Sequence, residues 1–275
     1  MKKIAILDSS GMAGHVISDY LLSKNQYQIL LFEEKEIISS DFVINPSFFR
    51  DEFDIIINPI RCLVEESNQN PQKAILYNSL FPHYLKNKYK SKKTKIIHLS
   101  TDCVFSGDKG NYNEEAEHDG FSIYSKTKSL GEVVDNKNIV LRTSYIGPSL
   151  KKDEELFDWF LQQEKYVSGF TRAYWNGVTT LELAKKIHDL IKLDYVGVYH
   201  LIGEKKISKF DLLVIMRDIW KKDIEVIKDK SMKIDRSLLD TKKILKTQSY
   251  KSMFLELYNY MTKDASKYSK YNLDL

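Results

Sequence analysis

Short apolar runs recur along the first half of the chain. Each is too short for a helix and too continuous for a half-exposed strand. They cover residues 4–7, 28–32, 54–58, 95–100 and 138–142. Asp54-Ile55-Ile56-Ile57-Asn58 is the plainest, three isoleucines bounded by polar residues. Continuous β-branched runs suit strands buried on both faces, as in a parallel sheet. Helical patterns fill the intervals, from His15 to about Leu22, from Gln72 to about Lys88 and from Tyr124 to Val134. This alternation predicts an α/β fold, and in such sheets ligands bind beyond the carboxyl ends of the strands.

After Gly147-Pro148 the rhythm changes. Residues 154–163 read as a helix. So do residues 178–191, with Leu181, Leu183, Ala184, Ile187 and Leu190 at helical spacing. Residues 197–201 form one more short strand. Ser208, with Asp211 three residues on, caps an amphipathic helix to about residue 222. The remainder reads as short helices and loops, and the polar, tyrosine-rich tail 264–275 as loose.

A length of 275 residues accommodates one large α/β domain or a domain with a smaller lobe. The net charge of +4 is spread along the chain, which argues against nucleic acid as a partner. Two cysteines, Cys62 and Cys103, without a CxxC, exclude a disulfide scaffold or structural zinc, and the histidines show no metal-ligand spacing, so no metal is expected. The N-terminus runs directly into a strand and no apolar run reaches membrane length, so the expectation is a soluble, cytoplasmic protein with no membrane partner.

The turn after the first strand reads Asp8-Ser9-Ser10-Gly11-Met12-Ala13-Gly14. It is a glycine-rich turn with Asp8 in place of its first glycine, of the kind that seats a pyrophosphate on a helix N-terminus. Glu33, at the end of the second strand, is placed to accept hydrogen bonds from ribose hydroxyls, and Lys35 leaves a 2′-phosphate open. Tyr124 and Lys128 stand at i and i+4 on one helix face, where an ammonium would lower the tyrosine pKa toward neutrality. Thr101 lies just past the strand ending at Ser100, within reach of a substrate carbonyl.

Here the sequence resembles a known family. Ser100-Thr101-Asp102-Cys103-Val104-Phe105-Ser106-Gly107, followed by Glu114, Tyr124-Ser125-Lys126-Thr127-Lys128 and Gly131-Glu132, looks like the extended short-chain dehydrogenases/reductases, closest to the dTDP-4-dehydrorhamnose reductase family. The similarity covers nearly the whole chain and thins after about residue 205. It implies a Rossmann-type doubly wound parallel sheet with a smaller mixed α/β C-terminal substrate lobe. The dinucleotide-binding part would take residues 1–147 and about 173–203, and the substrate lobe about 148–172 and 204–275. It implies NADP(H) or NAD(H) as cofactor, a nucleotide-diphosphate sugar as substrate, and reduction of its C4 keto group, and it leaves a homodimer open. By position, Thr101, Tyr124 and Lys128 would be catalytic. Gly11, Met12, Gly14, Glu33, Asp41, Phe42, Asn58, Ser100, Tyr124 and Lys128 would bind the cofactor. Thr101, Asp102, Tyr145, Trp175 and Arg236 would face the sugar nucleotide.

The chain departs from the family pattern at several points. Asp8 sets a carboxylate beside the expected diphosphate and bears against cofactor affinity. Cys103 stands where an aromatic residue is common. Pro59-Ile60-Arg61 replaces a small, alanine-rich run, Tyr145 replaces a tryptophan, and Ala173-Tyr174-Trp175-Asn176-Gly177 also differs. These last three point to a changed sugar or nucleotide. Two rival readings accompany the reductase: a nucleotide-sugar 4-epimerase on the same fold, and a non-catalytic nucleotide-binding regulatory subunit.

Overall fold

A computed structural model describes residues 1–151, 155–193, 195–271 and 273. The strands run in chain order as β1 (Lys2–Leu7), β2 (Tyr27–Phe32), β3 (Ile55–Asn58), β4 (Lys95–Ser100), β5 (Ile139–Arg142), β6 (Tyr145–Ile146), β7 (Lys165–Trp175), β8 (Val178–Thr179), β9 (Gly197–His200), β10 (Ile207–Ser208) and β11 (Ile224–Asp235). Six of them form one sheet in the order β2-β1-β3-β4-β5-β9, every neighbouring pair parallel. This is a Rossmann-type doubly wound sheet.

Successive residues of the central strands serve opposite faces. Ile4, Ile6, Ile55, Ile57, Ile97 and Leu99 join a core with Val16, Ile17, Ile187 and Leu190. Ala5, Leu7, Ile56 and Ile96 join another with Phe53, Leu76, Phe81 and Leu85. Helices cover both faces, so both are largely apolar, and the buried polar pair Asn58 and His98 is hydrogen-bonded. Each fully buried isoleucine contributes roughly 1.5–3 kcal/mol.

The strand order reverses between β1 and β3, since β2 lies on one side of β1 and β3, β4 and β5 on the other. The turns leaving β1 and β3 therefore diverge and open a crevice at the carboxyl edge of the sheet.

Helix boundaries differ in detail from the sequence reading. The first helix spans Met12–Leu22, starting three residues before His15. The segment read as one helix over 72–88 is Pro71–Ala74, a π-helical turn Ile75–Leu80 and Phe81–Lys88. Pro82 has no N–H for the Asn78 carbonyl, four residues back, which fits a local widening here. The helix with Tyr124 and Lys128 spans Ile123–Leu130 and ends before Val134. Ser208 caps the helix Lys209–Ile219, accepting from the Asp211 N–H at 3.0 Å.

Two expectations for the C-terminal part are corrected. It is not only short helices and loops: β7, β10 and the twelve-residue β11 form a mixed sheet, β10-β7-β11, and Tyr250–Lys263 is a long helix. β11 carries Lys228, Asp229, Lys230 and Lys233 and buries only Ile224 and Val226 on its N-terminal half, so its strand pattern is masked by charge. Nor is the described part of the tail loose. Tyr268 and Tyr271 are buried, Tyr268 hydrogen-bonds Nε2 of His15 at 3.0 Å, and the Tyr271 hydroxyl accepts from the Ser149 N–H at 2.8 Å. Residues 272, 274 and 275 lie outside the described residues. Among the described residues no helix is long and apolar enough to cross a membrane.

Candidate active site

The turn after β1 is built by close backbone packing. Asp8 adopts a left-handed φ of 48°, which aspartate tolerates better than most residues, and its carbonyl accepts from the Gly11 N–H at 3.0 Å. A Cβ on Gly14 would fall 1.9 Å from that same carbonyl oxygen, so Gly14 lets the helix sit against the strand end. Gly11 and Met12 line a groove of about 340 Å³ together with Asp8, Arg61, Lys151 and Glu155.

The Asp8 carboxylate does not stand alone in this groove. Lys151 Nζ donates to it at 2.8 Å. Burial raises the Asp8 pKa, and Lys151 works against that rise. Glu33, assigned to ribose, has both carboxylate oxygens occupied by the Ser9 and Ser10 hydroxyls and also caps the short helix Glu34–Ile37. Asp41 is exposed, and Phe42, at φ 61°, packs against the core beneath β2. Asn58 is fully buried, its amide on His98 Nδ1 at 3.1 Å and its carbonyl oxygen on the Ile60 N–H at 3.2 Å. Its side chain thus shapes the turn leading to Arg61 instead of facing the groove.

Beyond the groove, a smaller cavity of about 140 Å³ brings together Thr101, Tyr124 and Lys128 with Ser100, Asp102, Arg61 and Tyr145. The three candidate catalytic side chains are buried. Thr101 holds its turn by accepting from the Cys103 N–H at 3.1 Å, and Ser100 donates to Glu132, which is also paired with Arg142.

The expected electrostatics of the pair is corrected. Lys128 Nζ donates to the Leu99 carbonyl at 2.8 Å, into the sheet. Burial raises the Tyr124 pKa, and the cation that opposes this is Arg61, helped by the Thr101 hydroxyl. Burial also lowers Lys128, to about 7, with Arg61 pushing the same way and Glu132 resisting. Spacing places tyrosine and lysine on one helix face, but only tertiary contacts decide where each head group points.

Arg61 is a site residue that the motifs did not single out. Its guanidinium pairs with Glu155 at 2.5 Å and lies 4.8 Å from the centre of the Tyr145 ring. Its signal in the sequence was the run Pro59-Ile60-Arg61, which replaces the small, alanine-rich run of the family pattern in the turn after β3.

A third cavity, about 570 Å³ and largely apolar, adjoins the second through Asp102, Cys103 and Ser144. Trp159, Phe170, Tyr174 and Trp175 line it, with Lys209 and Arg236 as its cations. Trp175 is fixed by its Nε1 donating to Ser144 Oγ at 2.7 Å, and Arg236 by Nε donating to the Phe105 carbonyl at 3.1 Å. Burial lowers the Lys209 pKa, against Asp102. Lys209 is the first residue of the helix Lys209–Ile219, and the motifs did not single it out.

The family described as RmlD substrate binding domain matches residues 2–252. The chain belongs to this family. A dTDP-4-dehydrorhamnose reductase from Aggregatibacter actinomycetemcomitans is 26% identical over 236 residues, covering 79% of each chain. The spore coat polysaccharide biosynthesis protein SpsK of Bacillus subtilis (strain 168) is 27% identical over 153 residues, covering 53% of this chain and 54% of that one. The fold is shared with the dTDP-4-dehydrorhamnose reductase from Bacillus anthracis str. Ames solved in complex with NADP, at a TM-score of 0.81 and 17% identity, over 94% of this chain and 99% of that one. It is shared with the UDP-glucuronic acid 4-epimerase from Bacillus cereus in complex with NAD, at a TM-score of 0.74 and 16% identity, over 95% and 99%. These RmlD-family and epimerase folds carry different chemistries, so the reaction must be argued from the site.

Proposed function

We propose that this RmlD-family protein is an NAD(P)H-dependent reductase of the C4 keto group of a nucleotide-activated (6-deoxy)hexose, made for a surface polysaccharide or glycan. The observation that carries the reading is the convergence of Thr101, Tyr124 and Lys128 on one small cavity between a glycine-turn groove and a larger aromatic cavity. The named relatives, a dehydrorhamnose reductase and a polysaccharide biosynthesis protein, support it.

The turn residues fit a dinucleotide. The helix Met12–Leu22 starts at Gly11 without a side-chain cap, which leaves its first-turn N–H groups without a side-chain acceptor and suited to phosphate oxygens. Gly11 presents no side chain to the groove, and Lys151 balances the carboxylate beside it. The bound reduced nicotinamide supplies the hydride. The chain's own residues do the rest. Thr101 orients the ketone oxygen, Tyr124 donates its phenolic proton to the developing alkoxide, and Lys128 would hold the nicotinamide ribose. Asp102, Tyr145, Trp175, Lys209 and Arg236 receive the sugar nucleotide. The β10-β7-β11 sheet falls in the substrate lobe except for the end of β7, residues 173–175, where the dinucleotide part of residues 1–147 and about 173–203 resumes.

The test is a panel of 4-keto nucleotide sugars assayed with NADH and NADPH, followed by loss of reduced-cofactor absorbance. Turnover of at least one member supports the reading. Cofactor that stays tightly bound and is restored at each cycle, with epimerised product, replaces it by the epimerase reading.

A further inference from the structure

Arg61 stands at the junction of two cavities. It lines the groove beside Asp8, Gly11 and Met12 and also the pocket of Thr101, Tyr124 and Lys128. Its guanidinium is held from the far side by Glu155 at 2.5 Å and lies against the Tyr145 ring at 4.8 Å. The turn that carries it is fixed by Asn58, whose side chain bonds both His98 and the Ile60 N–H. So placed, the arginine is anchored at its base and at its head. Burial opposes its charge, and the Glu155 carboxylate offsets that cost, with the face of the Tyr145 ring as a further contact.

Lys128 cannot do the same job from where it stands. Its Nζ is engaged by the Leu99 carbonyl at 2.8 Å. The charged and titratable groups around it are Arg61 from the turn after β3, Glu132 beyond the end of its own helix, and His98 on β4. Around Tyr124 they are Arg61, Cys103 and Tyr145. Arg61 acts on both, and shares their cavity with Asp102, Tyr145 and Glu155.

We propose that Arg61 is a positioning residue of the catalytic centre: anchored by Glu155 and the Tyr145 ring, its permanent charge governs proton transfer through the Tyr124–Lys128 pair. The inference rests on the proposed reductase reading for its catalytic meaning, although the electrostatic relation itself exists without substrate. A guanidinium stays protonated throughout the working pH range, so its field is constant. It favours the Tyr124 phenolate and disfavours the Lys128 ammonium, two effects of the same sign on acidity. A more acidic tyrosine gives up its proton more readily, and a lysine near its midpoint can return one.

The test reads Lys128 directly in the cofactor-free protein, by NMR titration of isotope-labelled lysine with its resonance assigned through Lys128→Met. In Arg61→Met the Lys128 midpoint should rise by about one pH unit or more, because a like charge has been removed. In Arg61→Lys it should stay within about half a unit of the wild type. If Arg61→Met leaves Glu155 unpaired and does not fold, the double variant R61M/E155Q removes both charges and should show a smaller rise in the same direction. A midpoint that moves by less than about 0.3 unit in the charge-free variants overturns the proposal. So does a change confined to the NAD(P)H dissociation constant, which would make Arg61 only a cofactor contact. A wild type that reduces no 4-keto nucleotide sugar, yet shows the lysine shift, defeats the reductase reading and leaves the electrostatic role of Arg61 in place.

Discussion

Asp8 and Lys151 pair in the groove lined by Gly11 and Met12, Lys151 Nζ donating to Asp8 Oδ1 at 2.8 Å. The two residues come from the first turn of the chain and from the loop after β6, and the pair changes what Asp8 does. A lone carboxylate beside a diphosphate would repel it by about 1 kcal/mol in a solvated setting. A carboxylate that holds a lysine there brings a compensating cation with it.

The consequence is a conditional effect of Asp8→Gly. In the wild-type background the NAD(P)H dissociation constant should change by less than about 3-fold, since charge and countercharge are disturbed together. In a Lys151→Ala background the same substitution should tighten binding by about 3- to 10-fold, and the gain should shrink at high salt. Equilibrium fluorescence titration of the four proteins measures this as a double-mutant cycle. Equal effects in both backgrounds would show that the pair is not coupled.

Tyr124→Phe should reduce turnover by about 10²-fold or more while leaving NAD(P)H affinity nearly unchanged, because only the proton donor is removed. Steady-state kinetics paired with direct cofactor binding separates the two. Near-wild-type turnover in the variant would remove Tyr124 from the reaction.

Lys209→Met addresses the large aromatic cavity. Lys209 is half-buried, its Nζ lies 5.4 Å from the Trp175 ring centre, and burial lowers its pKa. A cation kept in such a place is suited to an anionic substrate. The methionine variant should raise KM for a nucleotide-linked ketosugar by about 10-fold with kcat little changed, the pattern of lost uniform binding. An unchanged KM would place the diphosphate elsewhere. Free ketosugars should be poor substrates of the wild type.

Acid should destabilise the fold over a defined window. Burial lowers His15 and His200 to about 4, and lowers His98 well below its usual value. Between about pH 6.5 and 4 the unfolded chain binds protons at these positions that the folded chain does not. Stability is therefore fully present above about 6.5 and falls as the pH drops toward 4. For His15, 2% exposed, the loss is on the order of 3 kcal/mol. Urea unfolding at stepped pH measures it, and His15→Gln should flatten part of the slope. A flat profile through this range would show that the histidines are protonated in the fold.

The features legible in the sequence are those written in short-range order. Ile55-Ile56-Ile57 can only be a strand covered on both sides, and the structure covers it with two different cores. Gly11 and Gly14 mark a tight turn because each leaves out a side chain that would collide with Asp8. Tyr124 and Lys128 share a helix face because the helix repeats every 3.6 residues. Each of these depends on a few neighbouring residues, so the sequence alone suffices to specify it.

What tertiary structure alone decided depends on residues far apart in the chain. Lys151 reaches Asp8 across 143 positions, and Tyr268 reaches His15 across 253. Arg61 meets Glu155 across 94, and it, not Lys128, is the cation that opposes the rise of the Tyr124 pKa. β11 pairs with β7 in spite of a charged sequence, because pairing and the buried Ile224 and Val226 outweigh its weak strand pattern. Local propensity carries no information about such contacts. Head-group direction and ionisation follow from burial and from the charges that the fold brings alongside, and both exist only once the chain has closed around the crevice.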